Sequence, residues 1–148
     1  MLKPILLVED SPNDVELTLL ALEQHHLACQ AMVLRDGAEA LEYLQRRGRY
    51  AAREAGNPAV MILDIKLPLM TGLEVLKVVR EDPDLKDLPI VMLTSSNEDP
   101  DLQIAYGMGV NAYIVKPLRF KDFVTVIASL GVFWGVFNKP PSAPFHDS

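Results

Sequence analysis

The sequence predicts an α/β fold, a doubly wound parallel sheet of five strands in the order 2-1-3-4-5. Short apolar segments alternate with segments of helical spacing five times along the chain, which is typical of strands joined by crossover helices. The segment 60–64 is apolar up to a final acid, Asp64, as in a strand buried on both faces. Right-handed crossovers then favour this strand order.

The first unit begins with residues 4–8 (PILLV), a strand that ends in Glu9 and Asp10. Turn and helix-start residues follow and predict a helix to about His25. We interpret His25 and His26 as favourable partners of the helix C-terminus, with metal binding as the alternative. The apolar face of this helix has helical spacing and consists of Val15, Leu19 and Leu22, widened by Leu17 and Leu20.

The second unit comprises a strand over residues 29–34 and a helix over residues 38–45. Its first residue, Cys29, is interpreted as a small core residue. The loop over residues 46–58 carries four arginines. We expect these arginines to be solvated, with contact to an acidic partner as the alternative.

The third and fourth units follow the same plan. After the strand that ends at Asp64, a helix is predicted from about Gly72 to Arg80. Residues 89–93 (PIVML) predict the fourth strand, which ends at Thr94, and a fourth helix follows from residues 97–100 to about Met108. Gly109 closes that helix in the manner of a C-cap.

The fifth strand spans residues 112–115 and ends in Lys116-Pro117. One continuous last helix is predicted from about residue 120, and we assign residues 1–134 to one domain and 135–148 to a tail. We expect a homodimer built on this helix and the tail, with Phe133, Trp134 and Phe137 at the interface. The alternative is that the tail folds back in the same chain. The apolar stripe of the helix consists of Phe123, Val126, Ile127, Leu130 and Trp134.

Composition excludes several classes of function. A net charge of −6 over 148 residues argues against nucleic acid as a main partner. The longest uncharged run, residues 123–137, is shorter than the roughly 20 residues that span a bilayer. The N-terminus does not resemble a signal peptide. We therefore expect a cytoplasmic protein with no membrane partner.

The polar residues that end the strands predict one site. In a parallel sheet these ends share one edge, so Glu9, Asp10, Asp64, Thr94 and Lys116 should converge there. Clustered carboxylates need a counter-charge beyond one lysine, and oxygen ligands suit Mg²⁺. Such a site fits phosphoryl transfer, with a carboxylate as the acceptor. Alternatively, each residue has a local role in a turn, a helix start or the surface.

These residues resemble the receiver domain of two-component response regulators, which has a flavodoxin-like fold. The resemblance rests on the acid pair, on Asp64 with Pro68 and Gly72, on Thr94, and on Tyr113 with Lys116-Pro117. The long loop before the third strand and the ending FWGVFNKPP are similar to those of stand-alone regulators that accompany phytochrome-type histidine kinases.

The resemblance implies a role for each residue. Asp64 would accept a phosphoryl group from a kinase phosphohistidine, and Lys116 would pair with it. Thr94 would reach the phosphoryl group and Tyr113 would act as the rotameric switch, although packing alone also explains this tyrosine. Mg²⁺ would be held by Asp10, Asp64 and the Lys66 backbone carbonyl, and by Glu9 through water. The Lys116-Pro117 bond would be cis.

Two other functions remain open at this point. One is a hydrolase with an aspartyl-phosphate intermediate, which would carry a second acid at the position of Lys66. The other is a degenerate receiver that only binds partners, which the complete set of acid, hydroxyl and lysine disfavours. Within these residues only the tail follows the last helix, so we expect output through a protein contact or an oligomer change.

Overall fold

The computed structural model describes residues 3–139, which form a five-stranded parallel sheet in the order β2-β1-β3-β4-β5. The predicted fold class and strand order are confirmed. The pairing register places Asp64 beside Leu93 and Thr94 beside Val115, so these strands end together at one edge. The strands are β1 (Ile5–Val8), β2 (Ala31–Leu34), β3 (Val60–Asp64), β4 (Ile90–Thr94) and β5 (Ala112–Val115).

Side chains at the helix starts satisfy free backbone N–H groups. Ser11 caps the first helix by accepting from the Asp14 N–H, and Thr71 and Glu74 form a reciprocal capping box on the third. The helices are α1 (Pro12–Glu23), α2 (Gly37–Gln45), α3 (Gly72–Glu81), α4 (Pro100–Gly107), α5 (Phe120–Leu130) and α6 (Phe133–Phe137).

The core consists of two apolar layers, one on each face of the sheet. Alternate residues of a strand point to opposite faces, so Leu6 and Leu63 join the layer beneath α2, α3 and α4. Ile5 and Ile62 join the layer beneath α1, α5 and α6, which also contains the buried ring of Phe123. Both faces are therefore covered, and the central strands are apolar throughout.

Two side chains of the arginine-rich loop (residues 46–58) contact α2. The Arg53 guanidinium lies 4.1 Å from the centroid of the Tyr43 ring, and its Nε donates to the Tyr43 carbonyl at 2.6 Å. Arg49 Nε lies 2.9 Å from Glu42 Oε1. The expectation of solvated arginines holds for Arg49, whose side chain is 58% exposed, but is wrong for Arg53, which is half-buried against the aromatic face of Tyr43.

The structure corrects the last predicted helix, which is not continuous. It ends at Leu130 because Gly131 has the left-handed conformation (φ 74°), and a separate short helix, α6, follows. The break removes Trp134 from the stripe, and its side chain is 57% exposed. The division between residues 134 and 135 stays a prediction, and α6 runs across it.

Three other residues differ from expectation near α1. Leu17 and Leu20 are 40% and 58% exposed, so they do not widen the buried face of the helix. Cys29 is also exposed, because a 3₁₀ turn over residues 28–30 precedes β2 and carries it out of the core. Over residues 3–139 no helix has the length and apolar character needed to cross a membrane.

Gly72 is required where α3 begins beside the end of β3. A Cβ at this position would lie 2.3 Å from the Asp64 carbonyl oxygen. We expect Gly72→Ala to lower the free energy of unfolding in urea by about 1–3 kcal/mol, because the backbone must move. A Cβ at the control position Gly107, in α4, meets no atom within 4 Å. Gly107→Ala should therefore raise stability by up to about 1 kcal/mol, and equal losses for both variants would contradict this account.

Candidate functional site

The carboxyl edge of the sheet brings the predicted polar residues together around Asp64. Asp64 is the last residue of the central strand β3 and is 2% exposed, while Thr94, the last residue of β4, is 1% exposed. Glu9, which follows β1, is fully buried, and Asp10 beside it is exposed. The site therefore consists of two buried carboxylates and a buried hydroxyl, with Asp10 open to solvent beside them.

Lys116 supplies the positive charge of the site. Its Nζ lies 3.0 Å from Asp64 Oδ2, 3.0 Å from Glu9 Oε1 and 3.1 Å from Asp14 Oδ2. The Lys116–Pro117 peptide bond, just after β5, is cis. One ammonium thus contacts three carboxylates from two neighbouring segments of the sheet edge.

The charges of this cluster shift two pKa values. Burial, followed by the bond with Asp64, raises the pKa of Glu9 to about 7, although Lys116 acts in the opposite direction. Burial lowers the pKa of Lys116, but its bonds with Glu9, Asp14 and Asp64 outweigh this effect and raise the pKa overall. The lysine therefore stays charged, whereas the carboxylates exceed the positive charge available to them.

The donor set fits a hard divalent cation. Carboxylate oxygens of Glu9, Asp10 and Asp64 lie within 4.8 Å of one another. Glu9 Oε1 is buried, and its contact at 3.0 Å is with the Lys116 ammonium, which Asp14 and Asp64 share, so the carboxylates can accept a further positive partner. Oxygen ligands that are partly open to solvent suit a cation that keeps bound waters.

Among the described residues, neither Thr94 nor Tyr113 forms a hydrogen bond with Asp64. The Thr94 hydroxyl donates to the Ser96 carbonyl at 2.9 Å, so it is engaged by its own loop. Tyr113 is partly buried and its ring meets the edge of Tyr106, with 6.1 Å between the centroids. Thr94 ends β4, the strand beside β3, and Tyr113 lies on β5, the strand beyond β4. From these positions a side-chain rotation could change their partners.

Lys66 has two separate connections. Its backbone N–H donates to Asp64 Oδ1 at 3.1 Å, so the main chain curls back to the acid. Its ammonium lies 3.1 Å from Asp101 Oδ2 and 3.8 Å from Asp99 Oδ2, at the start of α4. The Lys66 side chain therefore binds the acids at the start of α4. It does not lie beside the Asp64 carboxylate, where the hydrolase alternative would place its second acid.

Sequence reasoning missed Asp14, Asp99 and Asp101 as partners of the site lysines. Asp14 is one of the helix-start residues that follow the first strand, yet it contacts Lys116. Its place in the first turn of the helix after β1 is a signal that could have found it, since such a turn borders the carboxyl edge of the sheet. The contacts of Asp99 and Asp101 depend on loop geometry, for which the sequence has no comparable signal.

Comparison with known proteins identifies the family. The family model described as "Response regulator receiver domain" matches residues 5–128. The chain belongs to the response regulator receiver family. Receiver-domain response regulators are phosphoacceptors rather than conventional enzymes, and this chain is a response regulator of that kind.

The relatives include response regulators whose names refer to bacteriophytochromes. The chain is 36% identical to the response regulator Rcp1 of Synechocystis sp. over 132 residues, which is 89% of this chain and 88% of Rcp1. The structure of the bacteriophytochrome response regulator RtBRR is 58% identical, with a TM-score of 0.84, over 96% of this chain and 86% of that one. The bacteriophytochrome response regulator AtBRR is 53% identical, also with a TM-score of 0.84, over 94% and 99%.

The structure of the Mn²⁺-bound form of Rcp1 is 35% identical, with a TM-score of 0.71, over 93% of this chain and 97% of that one. Together with the acidic cluster of this chain, it is consistent with divalent metal binding. The predicted likeness to stand-alone phytochrome-type regulators is confirmed.

The raised pKa of Glu9 predicts a pH dependence of stability in metal-free buffer. The folded state binds the Glu9 proton more tightly than the unfolded state, so this contribution is complete below pH 4.5 and is lost as pH rises through about 7. Glu9→Gln should remove that loss, and its stability relative to wild type should increase with pH. Urea unfolding in EDTA measures this difference.

The exposed Glu98 offers a matched control, and Glu98→Gln should keep the pH dependence of the wild type. A Glu9→Gln protein whose stability relative to wild type is constant from about pH 5 to pH 8 would contradict the assigned shift.

Proposed function

We propose that Asp64 accepts a phosphoryl group from the phosphohistidine of a phytochrome-type histidine kinase. The observation that carries the proposal is the placement of Asp64: its Oδ2 lies 3.0 Å from Lys116 Nζ, inside the acidic cluster with Glu9 and Asp10. The names of RtBRR and AtBRR as bacteriophytochrome response regulators support the class of kinase. A cytoplasmic location fits this exchange.

Groups around Asp64 account for the chemistry of phosphoryl transfer. An Asp64 carboxylate oxygen forms the new O–P bond while the P–N bond of the phosphohistidine breaks and its electron pair returns to the imidazole. Lys116, held at 3.0 Å, neutralises charge on the phosphoryl oxygens. The Lys66 N–H orients the carboxylate by binding its other oxygen at 3.1 Å.

We propose Mg²⁺ as the cation, with Asp10, Asp64 and the Lys66 backbone carbonyl as ligands and Glu9 acting through water. When bound, Mg²⁺ would neutralise charge that accumulates on the phosphoryl oxygens. The cluster of Glu9, Asp10 and Asp64 and its excess of carboxylates over positive charge support this assignment.

The switch we propose begins at Thr94. A phosphoryl group adds about −1.5 to −2 charge and three strong acceptors beside Asp64. The Thr94 hydroxyl would leave the Ser96 carbonyl, its present partner at 2.9 Å, and donate to a phosphoryl oxygen. Tyr113, on the next strand, would then turn inward into the space that Thr94 leaves. Such a covalent group biases a two-state element.

Intact-mass spectrometry tests the acceptor. With Mg²⁺ and acetyl phosphate, the wild type should gain the mass of a single phosphoryl group, whereas Asp64→Asn and the wild type in EDTA should gain none. Asp87→Asn, remote from the site in the loop after α3, is the matched control and should gain mass as the wild type does.

An adduct that persists in Asp64→Asn would contradict the proposal. The alternative of a hydrolase predicts rapid, repeated consumption of the donor. It is disfavoured by Lys66, a cation bound to Asp101 where that mechanism needs an acid.

We also propose a homodimer, with no nucleic-acid partner, as the net charge of −6 suggests. Trp134 is 57% exposed on α6 and offers an apolar contact. Phe137 is partly buried, and its ring stacks on Phe133 at 4.5 Å. Phe133 itself is only 1% exposed, so its predicted place at the interface is corrected to one inside the chain.

Light scattering after size exclusion tests the dimer. Wild type at tens of micromolar should have twice the mass of one chain, and Trp134→Ala should shift toward one chain, because aromatic anchors carry much of the binding energy of interfaces. Leu20→Ala removes a side chain of similar exposure (58%) from α1 and should leave the mass unchanged. A wild type with the mass of one chain would contradict the proposal.

A further inference from the structure

We propose that the Lys66 ammonium is an electrostatic latch, which holds the start of helix α4 in the resting state and is drawn away when Asp64 is phosphorylated. The proposal rests on the proposed function, since it requires Asp64 to carry the phosphoryl group. It adds a residue that couples the phosphorylation site to α4 by a route separate from Thr94 and Tyr113.

The first argument is the position of Lys66. Its backbone N–H donates to Asp64 Oδ1 at 3.1 Å, so the residue is anchored beside the acceptor carboxylate. Its side chain extends across to the β4–α4 loop, where Nζ lies 3.1 Å from Asp101 Oδ2 and 3.8 Å from Asp99 Oδ2. One residue therefore joins the acceptor loop to the start of α4.

The second argument is what the two acids do in α4. Asp99 is the N-cap of the helix, and its side chain accepts from the Asp101 N–H at 2.9 Å. An N-cap aspartate and an acid in the first turn both stabilise a helix start. Asp99 is nearly buried at 8% side-chain exposure, so a cation that binds both acids restrains a defined part of the fold.

The third argument is that the same loop is held from its other side by Thr94. The Thr94 hydroxyl donates to the Ser96 carbonyl at 2.9 Å, and the Asp99 N–H donates to that same carbonyl at 3.2 Å. A series of contacts thus runs from Asp64 through Lys66, Asp99 and Ser96 to Thr94. A phosphoryl group on Asp64 would attract both Lys66 and Thr94, at the two ends of this series.

Electrostatics decide which way Lys66 moves. A phosphoryl group on Asp64 adds about −1.5 to −2 charge near the flexible Lys66 ammonium. It then competes for this ammonium with the acids at the start of α4. The Lys66 side chain is 63% exposed, so its ion pair with Asp101 is screened by water. An exposed pair of this kind changes an equilibrium constant by at most about fivefold. The ion pair between Lys66 and Asp101 is therefore weak enough to be broken when Asp64 carries a phosphoryl group.

Reciprocity gives the sign of the effect. If phosphorylation weakens the Lys66–Asp101 pair, then loss of that pair must favour the phosphorylated state by the same factor. Removal of Asp101 should therefore tighten binding of a phosphoryl analogue, but only while Lys66 is present. This dependence on Lys66 separates a latch from a general effect of charge.

A double-mutant cycle tests the latch, with fluoroberyllate as the phosphoryl analogue in saturating Mg²⁺ and calorimetry as the measurement. Asp101→Asn should tighten binding about two- to fivefold in the protein with Lys66. In the Lys66→Met background, Asp101→Asn should change binding by less than about 1.5-fold. Glu98→Gln removes the same charge from the loop just before α4 and should have the same small effect in both backgrounds.

Two results would overturn the latch alone. One is an equal effect of Asp101→Asn in both backgrounds, and the other is no effect of Asp101→Asn in a protein that binds fluoroberyllate normally. Failure of the wild type to bind the analogue at all would instead overturn the proposed function, and the latch with it.

Discussion

The contact of one ammonium with three carboxylates is the constraint on which the rest of the site depends. Lys116 lies within 3.1 Å of oxygens from Glu9, Asp14 and Asp64, and these acids would otherwise repel one another at a buried sheet edge. The apolar strands determine where the charges meet, because their carboxyl ends align in the parallel register. Lys116 does not balance all of the negative charge, and the raised pKa of Glu9 reflects this excess. The same excess would favour the binding of a cation at this edge and, with it, phosphoryl transfer.

Much of this arrangement follows from local patterns in the sequence. The strand segments are short and apolar, and each ends in a polar residue, so their order and the edge they share could be predicted. The predictions that failed concern features that depend on longer-range geometry. The apolar stripe from Phe123 to Trp134 fits one helix, yet Gly131 adopts φ 74° and divides it. Cys29 looked like a core residue because strand β2 was expected to begin two residues before Ala31. No periodicity could place the Lys66 ammonium on Asp101.

The side chains of Thr94 and Lys66, which we propose respond to phosphorylation, bind other groups in this structure. Thr94 binds the Ser96 carbonyl and Lys66 binds the acids that start α4, so neither side chain contacts the acceptor carboxylate. A new group on Asp64 would compete for both of them, and both lead into the same loop before α4. A modest rearrangement at a buried acid can in this way reach the surface formed by α4 and β5, through contacts that are individually weak.

The most direct test of the central claim locates the phosphoryl group on the chain. After reaction with acetyl phosphate and Mg²⁺, borohydride reduction converts an aspartyl phosphate into homoserine, and peptide sequencing by tandem mass spectrometry finds the altered position. The account predicts homoserine at residue 64 and unmodified aspartates at Asp10 and Asp14. Homoserine at either of those neighbours, with Asp64 intact, would contradict it.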